Sequence, residues 1–583
     1  MRLALQKRAV KALCFLSILA LPALGFAQEL ASIGLAPTMP AIPSTSSTSS
    51  TPPSASSTPA PSPTPPSTSS TSSTSGPAVS VQFTSAGLSS LQWNGTELLA
   101  SGAPSLSYVG LIQPDGTWTA GDTNPTTTAD VANRVLTQKY AWGTVTYTYT
   151  TTQTQMFADV TIQNNSATPM GMFIMQLAEI QFPSTPSEYD GSTPMVGWNM
   201  GNPTVIPTTF GANRLVLTNE DVVNPLMVGW PWALNSGKTL FPVQVLTGQD
   251  SMYSTSYPVI NRQVSAGGSL EFKLGFRFGA STASTYSLAS DLYQRFATTF
   301  PYTLNWTDRR PIAQLFLTNP DCASATNPRC WFNDPTIDVT TPGGVAAFQQ
   351  RVLAFAQSSV AIAKAENAQA VITWDIEGQQ FPQPTTYIGD PRLIDTLAPE
   401  MAGVEDAYFK TFTDAGLRVG MTIRPQQLVL TNSNQSASQQ EVADPGQLML
   451  AKMTYAYNRW GATVFYVDSN GAPDNPIDPK FFQEVTSALP GVLIIPEHAN
   501  LGYYAITAPY GQLNYGCTGT PASVVQVYPN AFSVFTISDA DVTDNMPALV
   551  SSVARGDVLF FRGWFNAAEN PQVQQIYGSV QSQ

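Results

Sequence analysis

The apolar pattern of this chain changes once, near residue 285, and that change limits what it can fold into. From about 78 to 285 small, β-branched and aromatic residues alternate, as in Val145-Thr146-Tyr147-Thr148-Tyr149-Thr150 and Met156-Phe157-Ala158-Asp159-Val160-Thr161-Ile162. A period of two puts successive side chains on opposite faces, which is the signature of strands. Asn164-Asn165 and Gly267-Gly268 punctuate the pattern. Gly87 to Leu99 reads as a hairpin about a tight Asn94-Gly95 turn. Helical periodicity is almost absent, so a large antiparallel β-sandwich is expected over 78–285.

Past a helical stretch at about 283–298, carrying Leu288, Leu292, Tyr293 and Phe296, short apolar strands alternate with amphipathic helices. That alternation implies parallel βα units. The strands are expected at Ile312–Leu317, Ala370–Trp374, Arg418–Ile423, Thr463–Val467, Val492–Ile495, Ser533–Ile537 and Val558–Phe561. The clearest helices are Ala346–Ala365, Glu405–Ala415, Gly446–Tyr457 and Lys480–Leu489. These units point to a TIM-type (β/α)8 barrel over 286–583, with one unit degenerate or missed. A doubly wound open sheet is the alternative. It would normally carry a glycine-rich phosphate loop after its first strand, and none is visible.

The N-terminus contributes no core. Residues 1–27 have the form of a signal peptide: Arg2, Lys7, Arg8 and Lys11, an apolar run from Ala12 to Leu24, then Gly25-Phe26-Ala27. Residues 28–77 form a linker, from about 37 onward almost entirely Ser, Thr, Pro and Ala, which should be an extended, disordered tether. The expected product is secreted, periplasmic or held at the cell surface, with no membrane contact in its mature form. The formal net charge of −13 argues against nucleic acid as a partner. Cys322 and Cys330 enclose a short loop, and export makes a local disulfide between them the expectation. Cys517 is left over as a buried thiol.

Chemistry is constrained by what the chain lacks. His498 is its single histidine, which excludes a multi-histidine metal site. No Gly-x-Ser-x-Gly elbow supplies a serine nucleophile. Nothing requires a metal or a cofactor. Carboxylates remain, and they gather where a barrel places its active site, at the C-terminal ends of the strands. The second expected strand ends in Trp374-Asp375-Ile376-Glu377 and the third in Arg424. The fourth ends in Asp468-Ser469-Asn470-Gly471, the fifth in Glu497-His498, the sixth in Asp539 and the seventh in Arg562-Gly563-Trp564. A lone Asp after a strand is often a helix N-cap; a succession of them is harder to account for that way.

Glycoside hydrolysis needs two carboxyl groups about the scissile bond. Asp468 is the candidate nucleophile. Glu497 is the candidate acid/base, with Asp539 as its alternative. Arg424 is placed to keep Asp468 ionised. Trp374, Asp375, Glu377, Tyr503, Arg562 and Trp564 are candidate contacts to an oligo- or polysaccharide, the aromatics as stacking platforms, as is Tyr504. Asp375 and Glu377 would share a side if their strand continues, and a chitinase-like hydrolase could use them as its catalytic pair. His498 should point away from Glu497 on a regular strand and is read as structural. A non-catalytic, carbohydrate-binding surface protein is the remaining alternative.

This order of parts resembles the retaining α-glycoside hydrolases of the α-galactosidase and endo-α-N-acetylgalactosaminidase type. Leu91-Gln92-Trp93-Asn94-Gly95 is similar to the opening hairpin of their sandwich, and Phe465-Tyr466-Val467-Asp468 to their fourth strand. The resemblance implies a galactose mutarotase-like β-sandwich before a catalytic barrel. It implies a nucleophile at Asp468 and an acid/base at Glu497 or Asp539.

Overall fold

The computed structural model describes residues 78–186, 205–223, 227–228, 239–247, 263–319, 322–378, 389–431, 436–472, 475–512, 519–537, 545–563 and 571–581. The leader at 1–27, the linker at 28–77, Cys517, Asp539 and Trp564 lie outside these residues, as does the side chain of Arg562.

The N-terminal part is a β-sandwich. A seven-stranded antiparallel sheet runs in the order Val205–Phe210, Asn213–Asn219, Ser269–Ala280, Gln155–Asn164, Gly143–Thr151, Val135–Lys139, Thr126–Asp130. A six-stranded sheet centred on Met170–Gln181 and Leu240–Thr247 faces it. The alternation read from the sequence sorts the side chains: Val145, Tyr147 and Tyr149 go inward with Met156, Ala158, Val160 and Ile162, all in one apolar core. The opening hairpin turns at Asn94 and Gly95 with φ of 51° and 78°, the left-handed pair that a two-residue turn demands. It delivers Trp93 onto Phe278, with ring centroids 5.4 Å apart.

Helix Ser290–Thr299 follows the sandwich and buries Leu292, Tyr293 and Phe296. They pack in one cluster with Val205 and Val216 of the sandwich and with the helices of the next part, so the helix fills the seam between the two. A buried guanidinium secures it. Arg277, on the sandwich, pairs with Glu220 at 2.9 Å and with Asp291 of the helix.

The C-terminal part is the expected (β/α)8 barrel. Its strands are β1 (Ile312–Leu315), β2 (Ala370–Thr373), β3 (Arg418–Ile423), β4 (Val464–Val467), β5 (Leu493–Pro496), β6 (Tyr510–Gln512), β7 (Val534–Ile537) and β8 (Val558–Gly563). They are parallel in the order β5-β4-β3-β2-β1-β8-β7-β6. A bond from Ala508 N–H to Ile494 O, 3.0 Å, joins the two ends of this series, which excludes the open-sheet alternative. The strand that sequence periodicity misses is β6, three residues long. It is reached from β5 through a 3-10 turn, Leu501–Ala505, where a helix would otherwise stand. Asp539 therefore follows the seventh strand and Arg562 belongs to the eighth, one place later than expected.

The major barrel helices are α1 (Pro342–Ala365), α2 (Glu405–Asp414), α3 (Pro445–Trp460) and α4 (Pro479–Ala488). Thr341, Asp444 and Asp478 cap the N-termini of α1, α3 and α4. Inside the barrel, Ile312, Ala370, Ile372, Val464, Tyr466, Leu493, Ile495, Val534, Val558 and Phe560 form a closed apolar interior. Cys322 and Cys330 are bonded to each other in the loop after β1.

Replacing Arg277 with Ala removes one of two guanidinium partners of Glu220, whose side chain is 3% exposed, and leaves it with Arg295 and the Thr218 hydroxyl. Losing one partner of a buried pair costs about 3–5 kcal/mol, and less where a second cation remains. The urea midpoint of the Arg277→Ala protein is expected to fall accordingly; an unchanged midpoint would show that the seam is held by packing alone.

Candidate active site

The side chains at the barrel mouth follow from strand parity. Ile372, Tyr466 and Ile495 face the interior. Two residues on, Trp374, Asp468 and Glu497 face the same way, just beyond the ends of β2, β4 and β5. Met421 and Ile423 of β3 belong to the outer cluster against the helices, so Thr422 and Arg424 point inward. The ladder runs one step past each strand end: Trp374, Asp468 and Glu497 donate their N–H to Leu315, Ile423 and Val467, each at 2.9 Å. Four neighbouring strands thus present Trp374, Arg424, Asp468 and Glu497 side by side.

Arg424 and Asp468 form a buried ion pair. Both Nε and Nη2 of Arg424 approach Oδ2 of Asp468 at 2.5 Å. Ser469 Oγ adds a bond to the same oxygen at 3.3 Å. Ser469 has φ of 57° and Gly471 φ of 94°, so the chain turns sharply here as the Ser-Asn-Gly run suggests. That left-handed turn aims the Ser469 N–H at Glu497 Oε2, 2.7 Å away. Glu497 lies against Asp468. Burial, then the Asp468 charge, push the Glu497 carboxyl up to about 6.

His498 does not point away from Glu497, contrary to the expectation for a regular strand. β5 ends at Pro496, the alternation stops there, and His498 Nε2 sits 3.7 Å from Glu497 Oε2. Burial lowers its pKa, which favours the neutral imidazole. Asn470 ties the two strand ends together: its Oδ1 accepts from His498 N–H at 2.8 Å and its Nδ2 donates to His498 O at 3.0 Å.

A second layer of charge supports Arg424 from below. Lys452 of α3 is fully buried and donates to the carbonyls of Arg424 and Gln426, at 2.7 and 2.8 Å. Its Nζ is also 3.7 Å from Asp390 Oδ2. Burial pulls the Lys452 ammonium down to about 8, so it still carries its charge near neutrality. Arg424 N–H bonds to Gly389 O at 3.0 Å, and a Cβ on Gly389, where φ is 99°, would meet Arg424 Cγ at 2.7 Å. On the far side, Arg424 Nη1 donates to Gln439 Oε1 at 2.9 Å, from a two-stranded ribbon, Gln427–Thr431 with Ser436–Gln440, inserted after β3.

Asp375 and Glu377 do not join this group. β2 ends at Thr373, so the shared side expected of them is lost in a turn. Asp375 faces outward and accepts from Leu317 N, Thr318 N and Thr318 Oγ1 at 2.8, 2.9 and 2.5 Å. Glu377 accepts from Gly389 N and Asp390 N at 3.1 and 2.8 Å. Burial raises Asp375 to about 7 and Glu377 to about 8. They tie separate loops, which does not favour the chitinase-like pair. Tyr503 and Tyr504 are no stacking platforms: both are buried, with Tyr503 OH donating to Ile477 O and Tyr504 OH against Ser533 Oγ. Trp374 is partly exposed at the mouth, packed 5.0 Å from Tyr466 and 6.0 Å from Phe316.

Sequence reasoning missed Lys452 and Asn470. Lys452 sits within an ordinary amphipathic helix, and its one signal is a lysine among the core-facing positions Met449, Met453 and Ala456. Asn470 was visible only as part of a turn.

Comparison with solved structures gives an α-N-acetylgalactosaminidase from Bifidobacterium bifidum, in complex with N-acetylgalactosamine. It covers 86% of this chain and 91% of its own length at 9% identity, with a TM-score of 0.51. The two chains share one fold. An α-galactosidase from Geobacillus stearothermophilus covers 81% of this chain and 74% of its own at 10% identity, with a TM-score of 0.39. No protein-family model and no curated protein sequence matches.

Lys452→Met removes the donor from two buried carbonyls. At about 1–3 kcal/mol for each orphaned acceptor, the expected loss is roughly 2–6 kcal/mol. Chemical denaturation of the variant checks this, and a midpoint equal to the parent's would remove Lys452 from the support of Arg424.

Proposed function

We propose that this chain is an exported glycoside hydrolase that cleaves α-linked sugars with retention of configuration. The observation that carries the reading is the meeting of Asp468 and Glu497 at the ends of adjacent barrel strands, one ion-paired and the other held above the usual carboxylate range. The fold shared with an α-N-acetylgalactosaminidase supports a saccharide substrate. The form of residues 1–27 and the tether at 28–77 support export.

Asp468 is the nucleophile. Arg424 and Ser469 both engage Oδ2, which leaves Oδ1 as the oxygen to meet an anomeric carbon. Attack breaks the glycosidic bond and forms a glycosyl ester on Asp468. Glu497 donates its proton to the departing oxygen, then takes one from the water that hydrolyses the ester. The two carboxyl groups lie against each other, closer than the about 5–5.5 Å of a retaining pair with a sugar between them. Asp468 is pinned by Arg424, so Glu497 is the partner that swings aside, from a bend beyond β5 where its side chain is 30% exposed. Asp539, after β7, is the alternative acid/base.

Against a panel of aryl α- and β-glycosides, including α-galactosides and α-N-acetylgalactosaminides, hydrolysis is expected on α-linked substrates. Asp468→Asn is expected to lower it by on the order of a thousandfold, about 4 kcal/mol of barrier, without unfolding the protein. Unchanged turnover would remove Asp468 from the mechanism.

Glu497 holds its proton below about pH 6. The kcat/KM profile should therefore decline above that pH, and Glu497→Gln should abolish the decline while impairing poor leaving groups more than activated aryl ones. Equal losses on both substrate types, with the decline retained, would transfer the acid role to Asp539.

A further inference from the structure

One row of side chains below the carboxylates, the apolar lining of the barrel is interrupted twice. Gln314 on β1 is 3% exposed and Thr422 on β3 is 1% exposed. Gln314 Oε1 and Thr422 Oγ1 are both buried and make no hydrogen bond among the described residues. Both side chains face the barrel interior: Ala313 and Leu315 flank Gln314 and Met421 and Ile423 flank Thr422, and all four pack outward against the helices. Register places Gln314 level with Ile372 of β2 and with the backbone of Arg562 on β8, and Thr422 level with Tyr466 of β4. Trp374 is the next inward residue above Ile372, so the two residues stand on the strands that flank the one carrying the partly exposed indole.

A buried polar atom without a partner costs about 1–3 kcal/mol. The neighbouring inward positions, Ile372, Tyr466, Ile495 and Phe560, show that apolar side chains fit this layer. Gln314 and Thr422 thus weaken the free protein on the two strands that flank the one carrying Trp374. We propose that Gln314 and Thr422 form the floor of the saccharide site, hydrogen-bonding hydroxyl groups of the sugar ring that lies against Trp374, and so select the sugar. This rests on the glycoside hydrolase reading and adds to it. Both groups are uncharged, which suits a neutral sugar and not a uronic acid. Gln314 Oε1 needs a donor, which a ring hydroxyl supplies, and Thr422 Oγ1 can accept or donate. A site built around hydroxyl partners rejects the analogue that lacks them, because its own polar atoms then stay unpaired.

The test uses the full chain with Gln314→Leu and, independently, Thr422→Val. Each variant should raise the thermal midpoint, since an orphaned atom is gone. Each should also lower kcat/KM at least tenfold on the aryl glycoside that the parent hydrolyses. A deoxy analogue lacking the contacted hydroxyl should be as poor for the parent as for the variant. A raised midpoint with kcat/KM within twofold of the parent for both variants would overturn the proposal. Calorimetric binding of free galactose and N-acetylgalactosamine separates this failure from that of the hydrolase reading. If the parent turns over no glycoside yet binds one of these sugars, and Gln314→Leu weakens that binding at least tenfold, the floor stands and the catalytic reading falls. If the parent binds neither sugar and hydrolyses nothing, the floor falls as well.

Discussion

A guanidinium and a carboxylate, Arg424 and Asp468, meet at 2.5 Å where the barrel leaves them 8% and 4% exposed. Neither charge is tolerable alone at that depth, and removing one partner of such a pair typically costs about 3–5 kcal/mol. The surroundings are arranged accordingly. Lys452 fixes the backbone from which Arg424 springs, Gly389 leaves room for its stem, and Gln439 takes its remaining nitrogen. On the other side, the left-handed turn at Ser469 brings an N–H to Glu497, so the second carboxyl is positioned by the residue that follows the first. The chemistry proposed depends on this asymmetry: one carboxyl is locked to a cation, and the other is desolvated beside a negative charge and retains its proton up to about pH 6.

The fold was legible because its signals are periodic and repeated. The switch from period two to alternating strands and helices near residue 285 marks where the sandwich gives way to barrel units. Seven of eight strands stand out as short apolar runs. β6 does not: Tyr510–Gln512 is three residues long, follows a proline and has no helix before it, so neither length nor alternation marks it. The inward placement of Trp374, Arg424, Asp468 and Glu497 was legible for the same reason, since parity carries across a strand end for one step.

Parity fails after that step, and the sequence reading fails with it. Asp375, Glu377 and His498 lie in bends beyond β2 and β5, where φ and ψ decide direction. Tyr503 and Tyr504 looked exposed because they follow a strand end. In fact they pack the 3-10 turn that substitutes for a helix between β5 and β6. Lys452 was hidden because a buried lysine on a helix is distinguishable from a surface one only through the carbonyls it serves. Long-range partners of this kind, 26 and 28 residues apart, are set by tertiary structure and leave no local pattern.

The most direct measurement is covalent trapping. The protein is incubated with a 2-deoxy-2-fluoro α-glycosyl fluoride of the sugar it hydrolyses, digested with protease, and its peptides weighed. A single glycosyl adduct on the Asp468 carboxylate is the result expected of a retaining enzyme organised around the Arg424 pair. An adduct on another carboxylate, or steady turnover of the reagent with inverted product and no adduct, would contradict it.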